Sequence, residues 1–157
     1  MSDSPAQDVE PKTAPTETAP IATVFGGSGF VGRYVVQRLA RRGWRIRVAV
    51  RRPNEALFLK PYGVVGQIAP MQANVRDDDS CRRAIEGATA VVYSVGVLFN
   101  SGRNTFETVQ VEGPDRVARI AAEAGVERMA LVSAIGADPN SDSDYARTKG
   151  EGEAWVR

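Results

Sequence analysis

The sequence predicts a doubly wound α/β fold, with a parallel sheet in the order 3-2-1-4-5 and helices on both faces. Three observations carry that expectation. Short apolar strands alternate with amphipathic helical runs. The first strand passes straight through Gly26-Gly27-Ser28-Gly29-Phe30-Val31-Gly32 into a helix. Residues 90–95 form a short, nearly continuous apolar run broken only by Ser94, the mark of a strand covered on both faces.

The elements follow in order. Residues 1–20 hold Pro5, Pro11, Pro15 and Pro20, and set Asp3, Asp8, Glu10 and Glu17 against a single Lys12. So little apolar surface cannot repay the entropy of ordering, and the segment reads as a disordered acidic tail. It has neither the basic start and apolar stretch of a secretory signal nor the arginines of a mitochondrial presequence, which implies a cytoplasmic, bacterial location. Residues 21–157 then form one domain. Strands are expected at residues 21–25, 45–50, 68–72, 90–95 and 128–133. Helices are expected at residues 33–42, at 78–86 with acidic residues at its positive end, at 106–124 with Gly125 closing it, and at about 143–157.

Composition excludes several classes of chemistry. A chain of 157 residues, 43% hydrophobic and 25% charged, has enough core to need no disulfide staples. With no histidine, Ser-His and Cys-His nucleophilic pairs and His-containing zinc sites are ruled out, leaving Tyr, Lys, Ser or carboxylates. The single Cys81, in the first turn of a helix, is expected to be inert. The excess positive charge of residues 21–157 includes Arg41, Arg42, Arg45, Arg47, Arg51 and Arg52. Nucleic acid, acidic lipid, a nucleotide phosphate or a solvated face could each explain it, and a solvated face is the default for most. No apolar run approaches the roughly 20 residues of a membrane span.

The glycine turn is the strongest chemical signal. Gly26 permits the tight turn, Gly29 removes a Cβ from the path of a pyrophosphate, and Gly32 lets the helix lie close on the strand. The helix then aims free N–H groups and the positive end of its dipole at phosphate oxygens. An NAD-selective site usually ends its second strand in Asp or Glu, which holds the ribose 2′-hydroxyl. Here Arg51-Arg52 stand in that place, and guanidinium groups suit a 2′-phosphate, so NADP(H) is favoured over NAD(H). Asn74 and Val75, after the third strand, are placed to border the adenine, or to form a plain turn. Tyr145-Ala-Arg-Thr-Lys149 puts a phenol and an ammonium on one helical face, with Ser133 upstream at the end of the fifth strand. A neighbouring cation makes a tyrosine a usable acid and base, and the serine hydroxyl can hold a substrate oxygen.

These residues together resemble a family. Gly26-x-x-Gly29-x-x-Gly32 with Tyr145-x-x-x-Lys149 looks like the extended or atypical short-chain dehydrogenase/reductases, with their Rossmann-like nucleotide-binding fold. Residues 22–36, Gly66-Gln67, residues 125–128, Val132-Ser133 and residues 145–153 narrow the likeness to the dehydrogenase-like accessory subunits of respiratory complex I (NADH:ubiquinone oxidoreductase) and their bacterial relatives. The resemblance implies a tightly held structural NADPH, contacted by Gly26, Gly29, Phe30, Gly32, Arg51, Tyr145 and Lys149. It implies complex I subunits as partners and a place at the cytoplasmic face of the inner membrane. It also implies a sixth strand and a substrate-covering region beyond Arg157, so the chain reads as an amino-terminal portion. One residue departs from the pattern: the helix after strand four carries Gln110 where an asparagine usually organises the proton relay. Two other functions stay open, an active NADP-dependent reductase, epimerase or dehydratase on a small carbonyl or nucleotide-sugar substrate, and a regulator that senses NADP.

Overall fold

The structure, a computed structural model, describes residues 14–157. Most of the segment expected to be disordered, residues 1–13, lies outside the described residues. Residues 14–20 make a turn, closed by Ala19 N–H donating to Thr16 O at 2.9 Å, and Arg45 Nη1 donates to Glu17 O at 3.2 Å.

Five strands form one parallel sheet in the order β3-β2-β1-β4-β5: β1 (Ile21–Phe25), β2 (Arg45–Val50), β3 (Ile68–Gln72), β4 (Ala90–Tyr93) and β5 (Arg128–Leu131). Around it lie α1 (Phe30–Arg41), α2 (Asp78–Ile85), α3 (Gly113–Glu123) and α4 (Asp144–Glu153). Alternation along the strands divides the core into two layers. Val24, Ile46, Val48 and Val50 bury one face with Val36 and Ala40 of α1. Phe25, Ala49, Val91 and Tyr93 bury the other with Cys81, Ala84 and Ile85 of α2 and Val117, Ile120 and Ala121 of α3. Each fully buried aliphatic or aromatic side chain there contributes about 1.5–3 kcal/mol.

Several boundaries differ from expectation. The strands at residues 90–95 and 128–133 stop at Tyr93 and Leu131, because β1 itself turns away at Gly26. The last helix ends at Glu153, short of Arg157. The α-helix expected over residues 106–124 begins as a π-helical turn, Glu107–Glu112. Gly113 N–H reaches back five residues to Thr108 O, leaving the Val109 carbonyl for the buried Tyr93 hydroxyl at 2.6 Å, while Pro114 has no N–H to offer. Pro53–Tyr62 forms a 3₁₀ segment that the sequence reading left unassigned. It buries Ala56 and Leu59 beneath α1 and β2.

Side-chain bonds fasten these layers. Gln67 is buried, and its amide donates to Ala40 O (2.8 Å) and Trp44 O (2.9 Å), closing the carboxyl end of α1 onto the entry to β3. Asp77 caps α2 by accepting from Ser80 N–H at 2.8 Å, and Ser143 caps α4 through Ala146 N–H at 3.4 Å. At the outer edge, Ala73 N–H donates inward to Val50 O. Since parallel ladders alternate, Pro70 therefore sits where its missing N–H would have pointed outward.

Candidate nucleotide-binding site

At the carboxyl ends of the strands, where the strand order reverses beside β1, lies a cleft of about 350 Å³. Its floor is the glycine turn, Gly26, Ser28 and Gly29. One wall carries Arg51, Arg52 and Glu55 after β2, with Asn74 and Val75 after β3, and the other runs from Ser94 to Val97 after β4 and takes in Asn104.

The turn is built around absent side chains. Gly26 has φ +73°, a conformation other residues rarely adopt, and a Cβ there would lie 3.0 Å from the Ser94 carbonyl. At Gly32 a Cβ would run into Gly26 O and come within 2.8 Å of Gly27 Cα and Ser94 Oγ. That is the close helix-on-strand packing expected of it. Above the turn, α1 starts at Gly29 with no side-chain cap and no acidic residue in its first turn. By contrast, Asp77 and Ser143 cap α2 and α4. An uncapped helix start aimed across a glycine cradle is the geometry that receives a diphosphate. The residues present thus fit a dinucleotide.

Of the two arginines beyond β2, one is committed. Arg52 Nη1 pairs with Glu55 Oε1 at 3.1 Å, at the start of the 3₁₀ segment. Arg51 lines the cleft, exposed, and makes no hydrogen bond or ion pair among the described residues. Asn74 borders the cleft with its Oδ1 accepting from Arg76 N–H at 3.0 Å, so a turn role and a wall role coincide in one residue. Phe30 stands outside the cleft, exposed on α1 and set edge-on to Tyr34 at 5.8 Å.

The Tyr145 end is arranged differently, and neither Tyr145, Lys149 nor Ser133 lines the cleft. Lys149 is buried, with Nζ donating to Val132 O at 3.2 Å and lying 3.5 Å from where a Cβ of Gly96 would stand. Burial holds its pKa below the usual lysine range. Tyr145 packs edge-on against Phe106 at 6.0 Å. The Ser133 hydroxyl is buried without a hydrogen-bond partner. It faces Glu153, about two turns along α4 from Tyr145, and with Arg157 holds that carboxyl below its usual range, although no contact of hydrogen-bond geometry joins them. Gln110 is also buried: its Nε2 donates to Val97 O at 2.8 Å and its Oε1 accepts from Thr148 Oγ1 at 2.9 Å, tying the cleft wall to α4. Cys81 is buried in the core and desolvation pushes its thiol up to about 11, as an inert cysteine requires.

Sequence reasoning missed Glu55 and the whole wall from Ser94 to Val97. Gly96 after a buried strand was a usable signal, and Glu55 sits three residues past Arg52, the right spacing for a pair on a tight helix.

Known proteins agree with this geometry. Residues 26–156 match the family described as NAD(P)H-binding. The chain is 35% identical over 136 residues to the mitochondrial NADH-ubiquinone oxidoreductase 40 kDa subunit of Neurospora crassa, covering 87% of this chain and 36% of that subunit. It is 37% identical over 138 residues to the mitochondrial NADH dehydrogenase [ubiquinone] 1 alpha subcomplex subunit 9 of Mus musculus, covering 87% and 37%. A ceramide reductase of Caulobacter vibrioides is 31% identical over 142 residues, 90% of this chain and 43% of that enzyme. The chain therefore spans a little over a third of the length of the two respiratory subunits. Uronate dehydrogenase from Agrobacterium tumefaciens shares the fold at TM-score 0.69 and 19% identity, over 87% of this chain and 54% of that one. Among the described residues no helix is long and apolar enough to cross a membrane, and no cluster of metal-binding side chains occurs. With its sheet order, glycine cradle and matching profile, this chain belongs to the NAD(P)H-binding family and carries a Rossmann-like fold of the short-chain dehydrogenase/reductase type.

Proposed function

We propose that this chain is the nucleotide-binding part of an accessory protein of a complex I-type NADH:quinone oxidoreductase, with NADP(H) as a structural or sensing ligand. The observation that carries the coenzyme assignment is Arg51, an uncommitted guanidinium in the cleft beyond β2, where a carboxylate would select NAD. The respiratory partners rest on the relatives named above. A peripheral place at the cytoplasmic face of the inner membrane goes with them. A redox-silent role is supported by the far end of the site, where the Lys149 ammonium is spent on the Val132 carbonyl and the Ser133 hydroxyl lies beside Glu153.

The test is to isolate the protein without added coenzyme and identify what it carries. Copurifying NADPH that stays reduced while bound supports the reading. Neither coenzyme bound at millimolar concentration would end it.

A second reading, an NADP-dependent reductase, is favoured by one observation. Lys149 lies against Gly96 of the cleft wall with its pKa lowered, one helical turn from Tyr145. A bound nicotinamide supplies hydride chemistry. Tyr145 would then exchange a proton with a substrate oxygen, Lys149 would favour the phenolate, and Ser133 would polarise the carbonyl. Loss of a measurable turnover in Tyr145→Phe, with coenzyme affinity retained, would decide for the enzyme.

A further inference from the structure

Among the residues that line the cleft, Glu55 alone carries a carboxylate, and it stands with Arg51 and Arg52 on the wall after β2. It stands in the first turn of the 3₁₀ segment, whose start fixes it firmly: Glu55 N–H donates to Arg52 O at 3.0 Å while the Arg52 guanidinium donates to Glu55 Oε1 at 3.1 Å. Backbone and side chain together thus turn Arg52 along the segment. Of two adjacent arginines, only Arg51 is left without a partner among the described residues. The other carboxylate oxygen of Glu55 takes no hydrogen bond among the described residues, so it remains a potential acceptor on a residue that lines the cleft.

We propose that Glu55 is a specificity-determining residue of this cleft: by engaging Arg52 it reduces the charge available to a 2′-phosphate and lets the site accept NAD(H) as well as NADP(H). This rests on the cleft holding a nicotinamide dinucleotide with its adenosine ribose beside Arg51. The physical reason is simple. A 2′-phosphate gains from each guanidinium that can turn to it and loses to a nearby carboxylate, whereas a 2′-hydroxyl is indifferent to the arginines and is served by a carboxylate oxygen. Glu55 therefore moves the two coenzymes in opposite directions, through Arg52 for one and by direct acceptance for the other.

The experiment is a titration of the purified 157-residue chain with NADPH and NADH, by calorimetry and by thermal shift, for the unaltered protein, Glu55→Gln, Arg52→Ala and the double variant. Glu55→Gln keeps the side chain's size and should tighten NADPH about three- to fivefold, the scale of one solvent-exposed charge pair, while weakening NADH about twofold. In the Arg52→Ala background the same substitution should give a smaller gain for NADPH, because only the repulsion by the carboxylate is then removed. An unchanged NADPH affinity in Glu55→Gln, or a gain just as large without Arg52, overturns the proposal. The two levels fail separately. If the unaltered chain binds neither coenzyme, the nucleotide reading falls and takes this one with it. If it binds NADPH and Glu55→Gln binds no better, only the role of Glu55 falls.

Discussion

The two ends of the candidate site are made of different material. The glycine-turn end consists of backbone, an uncapped helix start and a single uncommitted cation, all converging on one cleft. The Tyr145 end consists of side chains: Lys149 lies on Val132 O and Gln110 between Val97 and Thr148, while Tyr145 packs its ring on Phe106 and the Ser133 hydroxyl has no hydrogen-bond partner. A site that holds a ligand can be built largely from main chain, whereas one that reacts depends on where its side chains stand.

The sharpest way to break the comparison is at Gly32. Gly32→Ala should destabilise the fold by about 2–3 kcal/mol in chemical denaturation, because the new methyl meets the Gly26 carbonyl and the Gly27 backbone, which cannot swing aside. A neutral result would mean that the turn is slack and no cradle. Next comes Arg51→Ala, expected to cost NADPH about tenfold or more, with little change for NADH. Equal losses for both coenzymes would remove the 2′-phosphate from this end of the cleft.

Lys149 gives a smaller effect with a definite sign. Its pKa is lowered by burial in the folded chain, so the unfolded chain binds more protons between that lowered value and the ordinary lysine value of 10.5. Stability relative to Lys149→Met should therefore rise with pH across that window, as the buried ammonium gives up its proton. Denaturation curves of the two proteins at increasing pH would show it, and a falling difference would mean that the ammonium is stabilised where it lies. The smallest effect is expected from Tyr145→Phe, which should change NADPH affinity by no more than about twofold, since its ring packs on Phe106 outside the cleft. A larger loss in the same titration would bring the phenol into the binding end and erase the distinction.

The part of this molecule legible in the sequence is the part governed by local rules. The glycine spacing declared the first strand, turn and helix, and the alternation of strands with helical crossovers implied the sheet order. The 3₁₀ segment was not legible. It spans Pro53 and Pro61, and its two buried residues, Ala56 and Leu59, are too few to give a helical or strand period. Missing it hid the Arg52–Glu55 pair, so no partner for Arg52 was legible. The π turn was hidden for another reason: it depends on the Tyr93 hydroxyl, sixteen residues away, taking the Val109 carbonyl. The surroundings of Lys149 and Ser133 likewise depend on where α4 lands against β5, which no local pattern encodes.

Pro70 has a consequence for how copies of this chain could associate. With no N–H at Pro70 to point outward, the β3 margin of the sheet lacks a backbone donor midway along its length, which makes it a poorer template for a strand of another molecule.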